Sequence, residues 1–267
     1  MKNILVLVHD DEGQEARLQV AFDIVRAVRG HLTCVDVVTV PVFVGDYISS
    51  GGDALLLADE QARESRNAVV LKERLAHEDI PYDWVDATGD PATCLRAAAK
   101  LSDLIVVNRR LDGTWYPDTS EITGELVAKG RRPVLAVPEG VHHLDLTGNV
   151  VIAWDGSDPA ESAMRAAVPL LTFAGSVTVL QVDDGSIKIP ATEAAKYLSR
   201  HGITAMVQIE DGRGRKVTDV VRTVLASRSA SYLVMGGFDH PRWVQSMFGG
   251  VTSTMIDRSP VPVLLAH

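Results

Sequence analysis

Cysteine is nearly absent: 267 residues hold only Cys34 and Cys94. A disulfide scaffold is excluded, and a cysteine-based zinc site is disfavoured. Both thiols are expected to be buried. No run of 18 or more apolar residues occurs, so no helix is predicted to span a membrane. The segment Met1 to Glu12 lacks the apolar stretch and small-residue cleavage site of a signal peptide, which predicts a cytoplasmic protein. Lysine and arginine form no cluster, and the net charge is −9, so sequence-independent binding to nucleic acid is not expected. No Gly-Lys dipeptide exists, which excludes a P-loop. No Gly-x-Ser-x-Gly elbow is present, and no Gly-x-Gly-x-x-Gly follows a strand-like run. Enzyme signatures are therefore missing, and the chain is not expected to be an enzyme.

What is present describes an ordinary globular protein. Hydrophobic residues make up 46% and charged residues 23%, enough for a packed core. At about 150 residues per domain the length suits one large domain or two small ones. Charge is split unevenly. Residues 1–147 hold 15 basic and 24 acidic side chains, and residues 148–267 hold 11 of each. An anionic ligand meets less repulsion in the second part.

Short runs rich in Val, Ile and Leu recur at residues 4–8, 32–38, 84–87, 104–107 and 134–137. They recur again at 150–154, 177–182, 205–209, 232–235 and 261–266. Alternation within them is poor, as in strands buried on both faces of a parallel sheet. Helical periodicity fills the gaps at residues 14–29, 55–78, 158–172, 191–201 and 216–227. Strands alternating with helices predict right-handed crossovers and a doubly wound sheet.

The pattern is written twice. Asn3-Ile4-Leu5-Val6 matches Asn149-Val150-Val151-Ile152 at an offset of 146, and residues 104–107 match 232–235 at an offset of 128. The second copy is thus about 18 residues shorter, with the loss expected at the helical stretch 55–78. Each copy closes on a Pro-Val run, at Pro133-Val134 and Pro262-Val263. The fold class expected is α/β: two tandem doubly wound five-stranded parallel-sheet domains, residues 1–139 and 149–267, joined by a polar link. A single ten-stranded sheet is the rival, and the repeat weighs against it.

Candidate site residues cluster where strands end. Met235-Gly236-Gly237-Phe238-Asp239-His240 follows an apolar run, and Phe248-Gly249-Gly250-Val251-Thr252 opens the last helix. In open parallel sheets ligands bind beyond the C-terminal strand ends. Glycines opening a helix expose N–H groups that can hold phosphate oxygens. The same glycines also serve simply as loop and helix-start residues. Ala153-Trp154-Asp155-Gly156-Ser157 ends another run, and its Asp155 either meets a nucleoside or, with Ser157, starts the next helix. Asp90 and Pro91 read as a helix start only. Trp243 and Phe248 are core anchors or reporters of loop order, and His142-His143 reads as an exposed pair.

These pieces, in this order, resemble the universal stress protein family over essentially the whole chain, and are similar to the tandem type common in proteobacteria. Gly236 and Gly249 stand thirteen apart, as in the family's nucleotide-binding members. The family's Asp-Gly-Ser opening is matched at Asp155 to Ser157, and its Gly-Asp-Pro-Ala at Gly89 to Ala92. The resemblance implies an adenine nucleotide (AMP, ADP or ATP, with or without Mg²⁺) as a regulatory ligand without efficient turnover. It places Asp155 at the nucleoside, Gln181 and Val182 at the base, and Gly236, Gly249, Gly250, Val251 and Thr252 at the phosphates, with Ala153, Met235, Phe238 and His240 around them. It also implies pairing of domains through their last strands, as an internal pseudo-dimer or a homodimer.

Departures from the family pattern are visible. Asp239 stands where the second glycine is expected, and Gly250 where a Ser or Thr is expected. A carboxylate beside a triphosphate is costly unless a divalent ion bridges them. The first copy carries His9-Asp10-Asp11 in place of Asp-Gly-Ser, Asn108-Arg109-Arg110 in place of glycines, and Glu121 opposite Gly249. Its site is expected to be degenerate. A nucleotide-free scaffold acting through protein contacts, and a weak nucleotide hydrolase using Asp239 or His240, are the alternatives.

Overall fold

The computed structural model describes residues 1–40, 52–108, 122–183, 185, 187–237 and 250–267. The first half runs β1 (Asn3–Val8), α1 (Gln14–Val28), β2 (His31–Val38), α2 (Gly52–Leu75), β3 (Tyr82–Thr88), α3 (Pro91–Ala98), a single 3-10 turn (Ala99–Leu101), β4 (Leu104–Asn108), α4 (Ile122–Gly130) and β5 (Val134–Val137). The second repeats it as β6 (Asn149–Ala153), α5 (Asp158–Leu171), β7 (Ser176–Asp183), α6 (Ala191–Arg200), β8 (Ala205–Asp211), α7 (Val217–Ser227), β9 (Ala230–Gly236), α8 (Val251–Arg258) and β10 (Val263–Ala266).

Local chemistry explains several boundaries. Asp90 accepts a hydrogen bond from Thr93 N at 2.8 Å, and Pro91 occupies the first turn of α3. Ser157 caps α5 through Ala160 N. Strand faces explain the poor alternation. Ile4, Val6 and Val8 of β1 enter a core beneath α1, α2, α5 and α6, while Leu5 and Leu7 enter a second core beneath α3, α4, α7 and α8. Both faces are covered, so both parities are apolar.

All strands within each half pair in parallel, in the orders β3-β2-β1-β4-β5 and β10-β9-β6-β7-β8. The two units do not stop at their edges. β5 and β10 pair antiparallel, Val134 with Leu265, Leu135 with Leu264 and Ala136 with Val263, so the ten strands form one sheet. The tandem reading describes the two units, and the expectation of separate sheets is corrected at their junction. At an offset of 129, Val134 corresponds to Val263 and Ala136 to Leu265. Leu135 therefore meets its own counterpart Leu264, and Val134 and Ala136 exchange partners about that pair, as at a two-fold interface. Pairing β5 with β10 leaves neither as an open sheet edge.

The shortening falls where expected: α2 has 24 residues and α6 has 10. The link is docked rather than loose. Leu144 and Leu146 are buried in the core, and Leu144 N donates to Asp23 Oδ2 at 2.8 Å, while His142 and His143 are exposed. Of the two thiols, Cys34 is buried and Cys94 is only partly so, which corrects the expectation for Cys94. Burial pushes the Cys34 thiol up to about 12, so it is chemically quiet. Among the described residues no helix is long and apolar enough to cross a membrane.

Candidate functional site

Both halves gather polar groups at the C-terminal ends of their central strands, and they do so with opposite chemistry. In the second half the end of β9 is stripped of side chains. A Cβ on Gly236 would lie 2.6 Å from Ala160 N and 2.8 Å from Pro159 C, so the start of α5 requires glycine there. Thr252 Oγ1 donates to Gly236 O at 3.4 Å, which sets the first turn of α8 against this strand end. Gly250 precedes α8 with extended backbone (φ −80°, ψ 154°) and, having no side chain, does not itself cap the helix. The leading N–H groups of α8 have no side-chain acceptor among the described residues, and the helix dipole adds positive potential. Met235 is buried beneath this cradle.

The nucleoside end is more crowded than the sequence implies. Asp155 is exposed, but its Oδ1 already accepts from Ser157 N at 3.0 Å and Ser157 Oγ at 2.7 Å. Gly156 adopts φ +75°, and a Cβ there would lie 2.2 Å from Ile189 N. Trp154 Nε1 donates to Ile189 O at 2.8 Å, and Lys188 N donates to Asp155 O at 3.2 Å. The segment 187–190 therefore lies on Trp154 to Gly156. Gln181 Oε1 accepts from Ala191 N at 2.9 Å, a helix-start duty for α6. β6 ends at Ala153, opposite Leu180, so Gln181, Val182 and Asp183 run past it unpaired by β6, with Gln181 and Val182 buried. Ala153, Asp155, Gln181, Val182, Met235, Gly236, Gly250, Val251 and Thr252 are thus grouped around the ends of β6, β7 and β9. Phe238, Asp239, His240, Trp243, Phe248 and Gly249 lie outside the described residues, as do Arg109, Arg110 and Glu121.

In the first half the equivalent space is filled with charge. Asn108 stands where the second half has Gly236, and Thr123 Oγ1 donates to Asn108 O at 3.1 Å, repeating the Thr252 bond. The close approach is moved to the helix side: a Cβ on Gly13 would lie 2.5 Å from Asn108 Cγ. Arg17 is fully buried. Its guanidinium donates to Leu7 O (2.7 Å), His9 O (2.6 Å), Asp11 Oδ1 (2.8 Å) and Asn108 Oδ1 (2.5 Å). Among the described residues, this space is occupied by a cation that satisfies strand-end carbonyls, a carboxylate and an amide.

A second buried cluster adjoins it. His9 Nδ1 lies 2.9 Å from Glu64 Oε1, and Asp10 N donates to both Glu64 oxygens at 3.2 Å. Burial opposes charge on both side chains. The mutual hydrogen bond and charge nevertheless hold His9 above its ordinary value of 6.5 and Glu64 below 4.5. Among the described residues, His9, Glu60 and Glu64 alone bring three metal-ligating atoms within 4.8 Å of one another. Arg63 already stands at this place, with Nη2 2.9 Å from Glu60 and 3.3 Å from His9 Nε2. The cluster carries its own cation. Sequence reasoning treated this half as merely degenerate. Asp36, a lone carboxylate inside the apolar run 32–38, was the visible signal of buried polarity.

The architecture is that of a tandem doubly wound α/β protein whose two units share one sheet through their last strands. No family model and no curated protein matches the chain. Solved structures do. A universal stress protein from Archaeoglobus fulgidus superposes with a TM-score of 0.75 at 18% identity, covering 99% of this chain and 97% of that one. A functionally unknown protein from Pseudomonas aeruginosa PAO1 gives a TM-score of 0.64 at 18% identity, covering 100% and 92%. A candidate universal stress protein from another Pseudomonas aeruginosa strain gives 0.60 at 15% identity, covering 100% and 93%. The chain has the tandem universal stress protein fold.

Proposed function

We propose that the chain is a tandem universal stress protein whose second half binds an adenine nucleotide as a regulatory ligand, without efficient turnover. The observation that carries this reading is the start of α8 at Gly250, uncapped among the described residues and held against the side-chain-free end of β9 by Thr252. Phosphate oxygens accept from the leading N–H groups of α8, and the base lies along the edge of Gln181 and Val182 that β6 leaves unpaired. Asp155 meets the ribose through the oxygen not engaged by Ser157. Entry of the nucleoside displaces the Lys188 to Asp155 backbone bond, so binding and the order of residues 187–190 are coupled. The exposed remainder of the chain, beyond the β5–β10 pairing, would serve contact with a partner or a second copy in the cytoplasm.

The second reading is a nucleotide-free scaffold. It is favoured by one observation, the seating of Ile189 on Gly156. A melting series with AMP, ADP and ATP, with and without Mg²⁺, separates the two. A ligand at 100 times its dissociation constant adds about 2.7 kcal/mol to stability. The shift should vanish in Gly250→Glu. The backbone at Gly250 accepts any residue, and Glu is what precedes α4 in the first half, at Glu121. The Mg²⁺ arm reports whether Asp239 shares an ion with the phosphates. No shift at millimolar nucleotide leaves the scaffold as the better account.

A further inference from the structure

The first half also holds a cavity outside either strand-end site, between α2 and the β2–β3 edge. It has a volume of about 550 Å³, and Asp36, Glu64, Lys72 and Asp86 are its charged lining. Asp36 and Asp86 are register neighbours on parallel strands. Both belong to the parity that faces α2, which Leu32, Cys34 and Trp84 share. Two carboxylates side by side on one sheet face repel one another, and Glu64 of α2 adds a third. Glu64 is occupied by His9 and Asp10 N, and Asp86 Oδ1 accepts from Trp84 Nε1 at 2.9 Å. Asp36 differs. It is 5% exposed, and its Oδ1 has no hydrogen-bond partner among the described residues. A buried carboxylate oxygen left so is costly, and its environment demands a donor that carries positive charge.

We propose that this cavity binds a small organic cation, an alkylammonium or alkylguanidinium compound, whose N–H donates to Asp36. The alkyl stem lies on Val38, Ala68, Val69 and Ala87, which are the apolar part of the lining. A metal ion fits less well, because Asp36 belongs to no group of three closely spaced ligand atoms among the described residues. Lys72 does not supply the missing donor. Its Nζ sits 4.5 Å over the Trp84 ring, and it lies eight residues beyond Glu64 on α2, about 12 Å along the helix axis. Burial, then Glu64 and Asp86, push the Asp36 carboxyl up to about 7, against the smaller pull of Lys72 and His9. A bound cation favours the carboxylate, so uptake releases protons and tightens as pH rises.

The test is calorimetric titration of the full chain with butylamine, putrescine and agmatine, with butanol and butyrate as controls. The amines should bind, more tightly at pH 8 than at pH 6, and the controls should not. Asp36→Asn should weaken binding by at least about ten-fold, the worth of one charge-assisted hydrogen bond. Val69→Trp, at an exposed position on the cavity wall, should block binding without touching the core. Equal binding of butanol, full affinity in Asp36→Asn, or no binding of any amine at millimolar concentration overturns the proposal. Binding of Mg²⁺, Mn²⁺ or Zn²⁺ that is lost in Asp36→Asn, in place of amine binding, overturns it in favour of a metal site.

Discussion

The two halves share a fold, a strand order and even a Thr-to-strand hydrogen bond, yet they end their central strands in opposite ways. One is closed by Arg17, Asn108 and the His9–Glu64 pair. The other ends in Gly236 and an uncapped helix. The difference teaches that one scaffold position can hold either a satisfied charge network or an open set of N–H groups, and that the choice is made by a few side chains. In the first half Asn108 projects toward the helix and glycine stands at position 13. In the second, glycine stands on the strand at 236 and Pro159 and Ala160 press against it. Bulk has moved from one partner to the other while the close approach is kept.

The sharpest break in the comparison is Arg17→Ala. It leaves Asp11 buried without its cation, and the Leu7 and His9 carbonyls without that donor, for a loss of about 3–5 kcal/mol in urea unfolding. Next comes the exchange of bulk. Gly13→Ala drives a methyl into Asn108 and should cost about 1–3 kcal/mol. Combined with Asn108→Gly, which imitates the second half, much of that cost should disappear, and a double-mutant cycle should show coupling of about 1–2 kcal/mol.

The third effect concerns pH. The stabilising part of the raised His9 is full below 6.5 and is lost as pH rises through its higher folded value. Asp36 acts in the same direction: its proton is held more tightly in the folded chain, so stability falls between 3.8 and about 7. The lowered Glu64 acts oppositely, losing its contribution only as pH falls below 4.5. Stability should therefore peak in mild acid and decline by about 1–2 kcal/mol toward pH 8, and Asp36→Asn should flatten the decline. In the second half the described groups with shifted values are the exposed Arg165 and Asp211 and the buried Tyr232, whose burial raises its hydroxyl. None of them titrates in this window, so among the described residues the pH response belongs to the first half. The smallest effect is Ser157→Ala, which removes the α5 cap and should cost about 1 kcal/mol.

The strands were legible because each is an apolar run covered on both faces, and α3 and α5 because Asp90 and Ser157 announce them. The placement of Gly236 at a strand end and Gly250 before a helix was legible, since missing side chains at such points stand out in the sequence. The charge network was not. Arg17 neighbours Ala16 on an amphipathic helix and reads as its solvent side. Glu60 and Glu64 sit in a strongly charged stretch, and nothing local says that they reach His9 more than fifty residues away. Nor does local pattern show that Ile189 rests on Gly156, since that contact depends on how the shortened connection into α6 folds back.

The antiparallel union of β5 with β10 has a consequence for divergence. In an assembly of two identical chains every residue change appears twice, so a site cannot be closed on one side and kept open on the other. Here the pairing partners are tethered by a link of about ten residues docked through Leu144 and Leu146. The tether sets a high local concentration and makes the association independent of how much protein is present. Each unit meets only its own counterpart, and a substitution in one leaves the other unaltered. The covalent join thereby permits asymmetry: one unit filled with charge, its neighbour ending in glycine at the same strand.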